Sequence, residues 1–178
     1  MKAVLFSIGE ATTELAKWAL ERQGLEVVLI EDNSSLAEKL DYMAEVMAED
    51  RLRVDADIIV NKRINQFIRL ARISDLLWTQ AMTFDWWKQD VAVGTPTYIK
   101  AELLPLLRKY KGVFADSQRP ETELTRIKEL YEPRRFGTRD VLVGVHGWGQ
   151  ADIDRVEAIK KVRGQLDGYD FELARRMR

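Results

Sequence analysis

The start of the chain constrains the fold most, because two short apolar runs there flank one amphipathic segment. Residues 3–7 and 25–30 are the apolar runs, and each has the length of a β-strand that is covered on both faces. Between them, residues 12–23 carry apolar side chains at helical spacing, and Gly9 and Gly24 permit turns at the two ends. This order predicts a β-α-β unit, and hence a parallel sheet.

The alternation of strand and helix patterns continues along the chain. A serine in the turn at 32–35 is expected to cap the second helix, since serine side chains accept hydrogen bonds from the first turn of a helix. Further strands are predicted at 52–54, 97–99 and 141–145, and residues 76–84 are predicted as a pair of strands or a strand followed by a loop. Residues 58–70 form an apolar run that becomes helical, and helices are predicted at 36–48, 101–110, 122–130 and 153–162.

Size, charge and cysteine content narrow the class of protein. The chain has 178 residues, which suits one domain with one core. The net charge of −1 provides no overall field that would attract nucleic acid or an anionic membrane. The absence of cysteine excludes disulfides, zinc–thiolate sites and cysteine nucleophiles, and favours a cytoplasmic protein. No apolar stretch approaches the roughly 20 residues of a transmembrane helix, so none is expected.

Two carboxylates follow the predicted third strand. Asp55 and Asp57 are separated by one residue and precede an apolar run at 58–60. Because carboxyl ends of strands in an open α/β sheet are where ligands bind, this pair is a candidate site for Mg²⁺ or Mn²⁺, which prefer oxygen ligands. The alternative is a solvated turn or a helix cap, since such triplets are common.

His146 is the only histidine in the chain, and it follows the predicted strand at 141–145. Glycines at 144 and 147 would let backbone or ligand approach it closely. A neutral imidazole is a good ligand for a transition metal. The alternative is a surface or core histidine with an ordinary hydrogen bond.

Four segments in order resemble the motifs of GT-A glycosyltransferases, especially the family-2-like group and its small viral or phage-type enzymes. They are Arg-Val-Asp-Ala-Asp at 53–57, the segment 94–104 that begins Gly-Thr-Pro, Arg-Pro-Glu-Thr-Glu-Leu at 119–124, and Gly-Val-His-Gly-Trp-Gly-Gln at 144–150. The resemblance implies one Rossmann-like α/β domain, 1–178, with three α/β/α layers and a mixed central sheet. The donor-binding part would be about 1–60 and the acceptor and catalytic part about 61–178.

The resemblance also implies roles for individual residues. Asp55, Asp57 and His146 would hold the metal ion, and Asp55 would also contact the donor diphosphate. The other residues implied in donor binding are Ser7, Glu10, Asp32, Trp148, Lys160 and Arg163. The alternatives are a solvated loop for Ser7 and Glu10, a turn or cap for Asp32, and a solvated helix face for the two basic residues.

The catalytic base is expected among Glu121, Glu123 and Asp85. Glu121 is preferred, although two acids at the start of a helix can merely complement its dipole. The aromatic residues at 78, 84, 86 and 87 form either a platform for the acceptor or part of the core.

The implied activity is metal-dependent transfer of a sugar from a nucleotide-diphosphate sugar to an acceptor hydroxyl, with inversion. The expected cofactor is Mn²⁺ or Mg²⁺, and a UDP-sugar is the expected donor. The acceptor is left open between a saccharide, a lipid-linked glycan and a modified DNA base. Two alternatives are a sugar-nucleotide nucleotidyltransferase and a non-catalytic nucleotide-binding or interaction module.

Overall fold

The computed structural model describes residues 1–86, 90–103, 105 and 136–147. The strands are β1 (Lys2–Ser7), β2 (Glu26–Glu31), β3 (Arg51–Asp55), β4 (Ile58–Val60), β5 (Trp78–Asp85), β6 (Asp90–Ile99) and β7 (Phe136–His146). The helices are α1 (Thr13–Glu21), α2 (Leu36–Val46) and α3 (Ile64–Ile73), and a 3₁₀ turn covers Ala101–Leu103.

The strands within the described part of the chain form one mixed sheet of seven, in the order β2-β1-β3-β6-β5-β7-β4. Strand β1 pairs in parallel with β2 and β3, and β6 is antiparallel to both β3 and β5. Strand β7 is parallel to β5 and antiparallel to β4. Strands β1, β2, β3, β5 and β7 therefore run in one direction, and their carboxyl ends share one edge of the sheet.

Helices cover both faces of the sheet, as alternation along the strands requires. In β1, Ala3 and Leu5 belong to the core that contains α1 and α3, whereas Val4 and Phe6 belong to the core that contains α2. Successive side chains of a strand point to opposite faces, so the buried run of β1 contributes to both cores. The predicted three-layer α/β/α fold with a mixed central sheet is confirmed.

Local signals explain where the helices begin. The hydroxyl of Ser35 accepts a hydrogen bond from the backbone N–H of Glu38, whose carboxylate accepts one from the N–H of Ser35. This capping box satisfies two donors at the start of α2 and confirms the predicted serine cap. Gly9 and Gly24 have positive φ angles of 89° and 78°, as turns at the two ends of α1 require.

Three predicted elements differ in extent from those observed. Strand β6 occupies ten residues rather than 97–99, and β7 occupies eleven rather than 141–145. Both extensions contain polar residues and glycine, which have little intrinsic preference for strands. Hydrogen bonds from the neighbouring strands hold them in the sheet. The helix predicted at 101–110 begins as the short 3₁₀ turn, and the segments 106–110, 122–130 and 153–162 lie outside the described residues.

No helix within the described ranges is long and apolar enough to cross a bilayer.

Candidate functional site

Three acidic or imidazole side chains lie at the ends of strands that run in the same direction. Asp55 ends β3, Asp85 ends β5 and His146 ends β7. The parallel register aligns Asp85 with His146 directly. The topology therefore brings residues from distant parts of the sequence to one edge, where open α/β sheets bind their ligands.

His146 lies between two carboxylates. Its Nε2 is 3.1 Å from Oδ2 of Asp57, and its Nδ1 is 3.2 Å from Oδ2 of Asp85. The Asp85 side chain is only 6% exposed, whereas those of Asp57 and His146 are each 36% exposed. The imidazole thus connects a buried acid to an accessible one.

The two acids favour the protonated ring. The hydrogen bond with Asp57 raises the pKa of His146 to about 9, against a partial opposing effect of burial, and Asp85 adds to the rise. In the absence of a competing cation, His146 is therefore an imidazolium at neutral pH, with both N–H groups donated to carboxylates.

Asp57 reaches His146 because strands β4 and β7 approach closely. Ile58 pairs with His146 and Val60 with Gly144. A β-carbon on Gly144 would lie 2.1 Å from the carbonyl oxygen of Ile59, which no side chain could occupy. Glycine at 144 is therefore required by the pairing that places Asp57 beside the imidazole.

Asp55 has different partners. One guanidinium nitrogen of Arg53, Nη2, donates to both of its carboxylate oxygens, at 3.0 and 3.2 Å, and the Thr95 hydroxyl donates to Oδ2 at 2.8 Å. Arg53 is almost fully buried and its guanidinium lies 5.4 Å from the centre of the Phe6 ring. These contacts fix the Asp55 carboxylate and compensate its charge.

A cavity of about 250 Å³ opens beside these groups. Its described lining comprises Asp55, Thr83, Asp85, Ala92, Val93, Gly94, Thr95 and His146. Hydroxyls, carboxylates and an imidazole face a small apolar wall, which is the mixture found in sites for polar small molecules.

The residues present fit a divalent cation in part. In an octahedral site with metal–ligand bonds of about 2.1 Å, two adjacent ligand atoms lie about 3 Å apart. The distance between Asp57 Oδ2 and His146 Nε2 matches this spacing. Among the described residues, however, no three His, Asp or Glu side chains are grouped closely enough to hold a metal ion. Asp55 lines the same cavity as His146, but its oxygens are bonded to Arg53 and Thr95.

Ser7 and Glu10, two residues with implied roles in nucleotide binding, bond to each other. The Ser7 hydroxyl lies 2.8 Å from Glu10 Oε2 and 2.7 Å from the Thr13 hydroxyl, and the N–H of Ile8 donates to Glu10 at 2.7 Å. These bonds order the loop between β1 and α1, at the same edge of the sheet as Asp55. Their role in nucleotide binding stays a prediction.

Asp32 follows β2 at the same edge. Its carboxylate accepts hydrogen bonds from the side chain and the backbone N–H of Ser34, which lower its pKa. Lys39, 3% exposed, donates to the backbone oxygens of Asp32 and Ser34, at 2.9 and 3.3 Å. Asp32 and Lys39 also line a second cavity of about 290 Å³.

Of the two interpretations of the aromatic residues, packing in the core is confirmed for two of them. Trp78 and Phe84 are 5% and 0% exposed and belong to the cores, because they alternate into the covered faces of β5. Trp86 is half-buried against the core. The remaining predicted residues Trp87, Glu121, Glu123, Trp148, Lys160 and Arg163 lie outside the described residues.

Local sequence patterns assign no role to Arg53 or Thr95, and they predict for Gly144 only a close approach of backbone or ligand to His146. Arg53 could have been found, because residues two apart on a strand share a face and Arg53 therefore lies on the side of Asp55. The contacts of Thr95 and Gly144 depend on pairing between strands far apart in sequence, which no local pattern encodes.

Comparison with solved structures identifies the class of fold. The fold resembles a glycosyltransferase involved in glycosylation of the major capsid of PBCV-1, with a TM-score of 0.52, 15% identity, and coverage of 79% of this chain and 83% of that chain. The two proteins therefore share a fold.

Two further solved structures share the fold as well. A 4-diphosphocytidyl-2C-methyl-D-erythritol synthase from Anaerococcus prevotii matches with a TM-score of 0.58 and 8% identity, over 92% of this chain and 96% of that chain. A protein assigned as a glucose-1-phosphate thymidylyltransferase from Bacillus anthracis, in complex with sucrose, matches with a TM-score of 0.54 and 10% identity, over 88% and 74%. No protein-family model and no curated protein sequence matches the chain.

Proposed function

We propose that this protein is a metal-dependent glycosyltransferase that uses a nucleotide-diphosphate sugar. The observation that carries the proposal is the contact between His146 and Asp57, at the edge of the sheet where Asp55 also lies. In this proposal, Asp57 and His146 hold Mn²⁺ or Mg²⁺, and Asp55 lines the cavity that His146 also lines. The bound cation would neutralise charge on the leaving nucleoside diphosphate.

The reaction exchanges one bond at the anomeric carbon for another. The bond from this carbon to the phosphate oxygen breaks, a bond to the acceptor oxygen forms, and the acceptor proton passes to a carboxylate. Arg53 and Thr95 fix the carboxylate of Asp55. In the cavity, this carboxylate would orient hydroxyl groups of the donor sugar or water bound to the donor's phosphates. Glu121 and Glu123 remain the proposed bases, since Asp85 already accepts from His146.

The second candidate is a sugar-nucleotide nucleotidyltransferase, which is favoured by the fold shared with the glucose-1-phosphate thymidylyltransferase. This reaction needs a cationic or glycine-rich loop that binds a nucleoside triphosphate after the first strand. Here the loop between β1 and α1 has a single glycine, no lysine or arginine, and the Glu10 carboxylate bonded within it. We therefore favour the glycosyltransferase.

The test is turnover and binding of a panel of nucleotide sugars with and without Mn²⁺, with UDP-sugars first. Donor hydrolysis should require Mn²⁺ and should fall at least about 100-fold in Asp57→Asn and in His146→Gln, because each would remove a metal ligand. Asp90→Asn is the matched control, since this acid is exposed and bonds to the N–H of its neighbour Val91.

A parallel assay separates the two candidates. Release of pyrophosphate from a nucleoside triphosphate and a sugar 1-phosphate would establish the nucleotidyltransferase. The absence of binding or turnover with every donor, in both assays, would leave only a non-catalytic module.

A further inference from the structure

We infer that Asp85 is a positioning residue that keeps the proton of the neutral His146 ring on Nδ1, so that the lone pair of Nε2 faces Asp57. The inference rests on the proposed function only for its consequence, which is the orientation of a metal ligand. Its geometry belongs to the protein without metal.

Two carboxylates compete as acceptors for the hydrogen bond of the His146 ring. Asp57 lies 3.1 Å from Nε2 and Asp85 lies 3.2 Å from Nδ1 of the same ring. A neutral imidazole has a single N–H, so it can donate to only one of them, and its other nitrogen then presents a lone pair.

Burial decides which acid keeps the proton. The side chain of Asp85 is 6% exposed and that of Asp57 is 36% exposed. A buried carboxylate loses much of its solvation, so removing a hydrogen bond from it costs more than removing one from an acid that water can reach. The neutral ring therefore donates to Asp85, and its lone pair faces the accessible acid.

The backbone holds this arrangement in place before any ligand binds. Asp85 and His146 are paired residues of β5 and β7, and the N–H of Trp86 donates to the carbonyl oxygen of His146 at 3.1 Å. Ile58 of β4 pairs with His146 from the other side. The backbone of His146 is thus fixed on both sides, and a ring that is hydrogen-bonded through one nitrogen is the usual arrangement of a metal-ligating histidine.

The single histidine makes the test direct. In protein labelled with ¹⁵N-histidine, the long-range ¹H–¹⁵N NMR spectrum contains the cross-peaks of one imidazole. The pattern of these cross-peaks distinguishes the two tautomers of the ring. In metal-free protein with chelator, at about pH 10.5, which lies above the His146 pKa of about 9, the ring is neutral and we expect the proton on Nδ1. In Asp85→Ala the proton should move to Nε2 and donate to Asp57, whereas the exposed-acid control Asp90→Asn should keep the wild-type pattern.

Two results would overturn the inference. One is a proton on Nε2 in the wild-type protein, which needs no variant to fold. The other is an unchanged Nδ1–H in a folded Asp85→Ala. Asp85→Asn, which keeps the size of the side chain and an acceptor oxygen, should give a smaller shift toward Nε2–H than alanine does.

A metal titration separates this inference from the proposed function. Zn²⁺, a diamagnetic probe, should shift the Nε2 resonance at about pH 7.5 while Nδ1–H persists, and Asp85→Ala should bind it about 10- to 100-fold more weakly. Absence of any Zn²⁺ response in the wild type would contradict the proposed metal site, while the metal-free tautomer would still decide the role of Asp85.

Discussion

Gly144 packs against the backbone of Ile59 with no room for a side chain, since a β-carbon at 144 would lie 2.1 Å from the Ile59 carbonyl oxygen. This contact joins β4 to β7 and sets the position of Asp57 relative to His146. The identity of one glycine thus controls the geometry of the candidate site.

Gly144→Ala should lower the free energy of unfolding by at least about 1–3 kcal/mol, because β4 must move to relieve the clash. Asp57 would move with β4, so Mn²⁺ binding should weaken in any fraction that folds. Urea unfolding and Mn²⁺ titration measure the two effects. Gly137→Ala on the same strand is the control, because its β-carbon would meet the flexible Leu76 side chain at 3.1 Å rather than backbone; equal losses in both variants would contradict the prediction.

Asp55→Asn should lower the free energy of unfolding by about 1–3 kcal/mol, because the buried Arg53 loses a charged hydrogen-bond partner. Asp57→Asn should cost less than about 1 kcal/mol, since its side chain is 36% exposed and solvated. Chemical unfolding of both variants in chelator gives the comparison. A larger loss of stability in Asp57→Asn than in Asp55→Asn would show that the buried ion pair of Arg53 and Asp55 contributes little to stability.

Stability should fall at high pH through His146. Its pKa is raised from 6.5 to about 9 in the folded protein, so the stabilisation is complete below about pH 6.5 and is lost as the pH rises through about 9. The difference in unfolding free energy between wild type and His146→Gln, in chelator, should therefore shrink between about pH 6 and pH 10. The half-exposed position limits this change to about 1 kcal/mol, and a difference that grows with pH would refute the assignment.

The proposed metal site should bind more tightly at higher pH. The cation must replace the Nε2 proton of an imidazole whose pKa is about 9. Apparent Mn²⁺ affinity should therefore rise about tenfold per pH unit between about pH 7 and 8, and level off above the pKa of the ring. Isothermal titration calorimetry in several buffers would also detect the released proton, and a pH-independent affinity would argue against His146 as a ligand.

Lys39 should be needed for the loop that carries Asp32. Lys39→Met keeps the apolar stem but removes the donor to the backbone oxygens of Asp32 and Ser34. We expect a loss of about 1–3 kcal/mol in stability and weaker binding of UMP or UDP, measured by unfolding and by calorimetry. The exposed Lys62→Met should change stability by less than about 0.5 kcal/mol, and unaltered nucleotide affinity in Lys39→Met would count against a role for this loop.

Local patterns were sufficient to place the strands and the helix cap in the first half of the chain, but not to decide burial. The runs that form β1 and β2 and the serine that caps α2 depend on neighbours close in sequence. The prediction that residues 25–30 are covered on both faces is wrong, because β2 lies at the edge of the described sheet and only Ile30 within it is buried. Strand β6 was predicted too short, because Gly94 and its polar neighbours adopt strand geometry only when β5 supplies the pairing. The aromatic residues of β5 were ambiguous for the same reason, since burial of Trp78 depends on what covers that face.

The sequence by itself determined an α/β architecture and placed candidate acids at the ends of buried runs, because hydrophobic periodicity and turn residues act over a few neighbours. Only the tertiary structure decided that His146 contacts Asp57 and Asp85, and that Asp55 instead bonds to Arg53 and Thr95. The physical reason is that strand order and register, which are set by packing across the whole sheet, decide which strand ends meet.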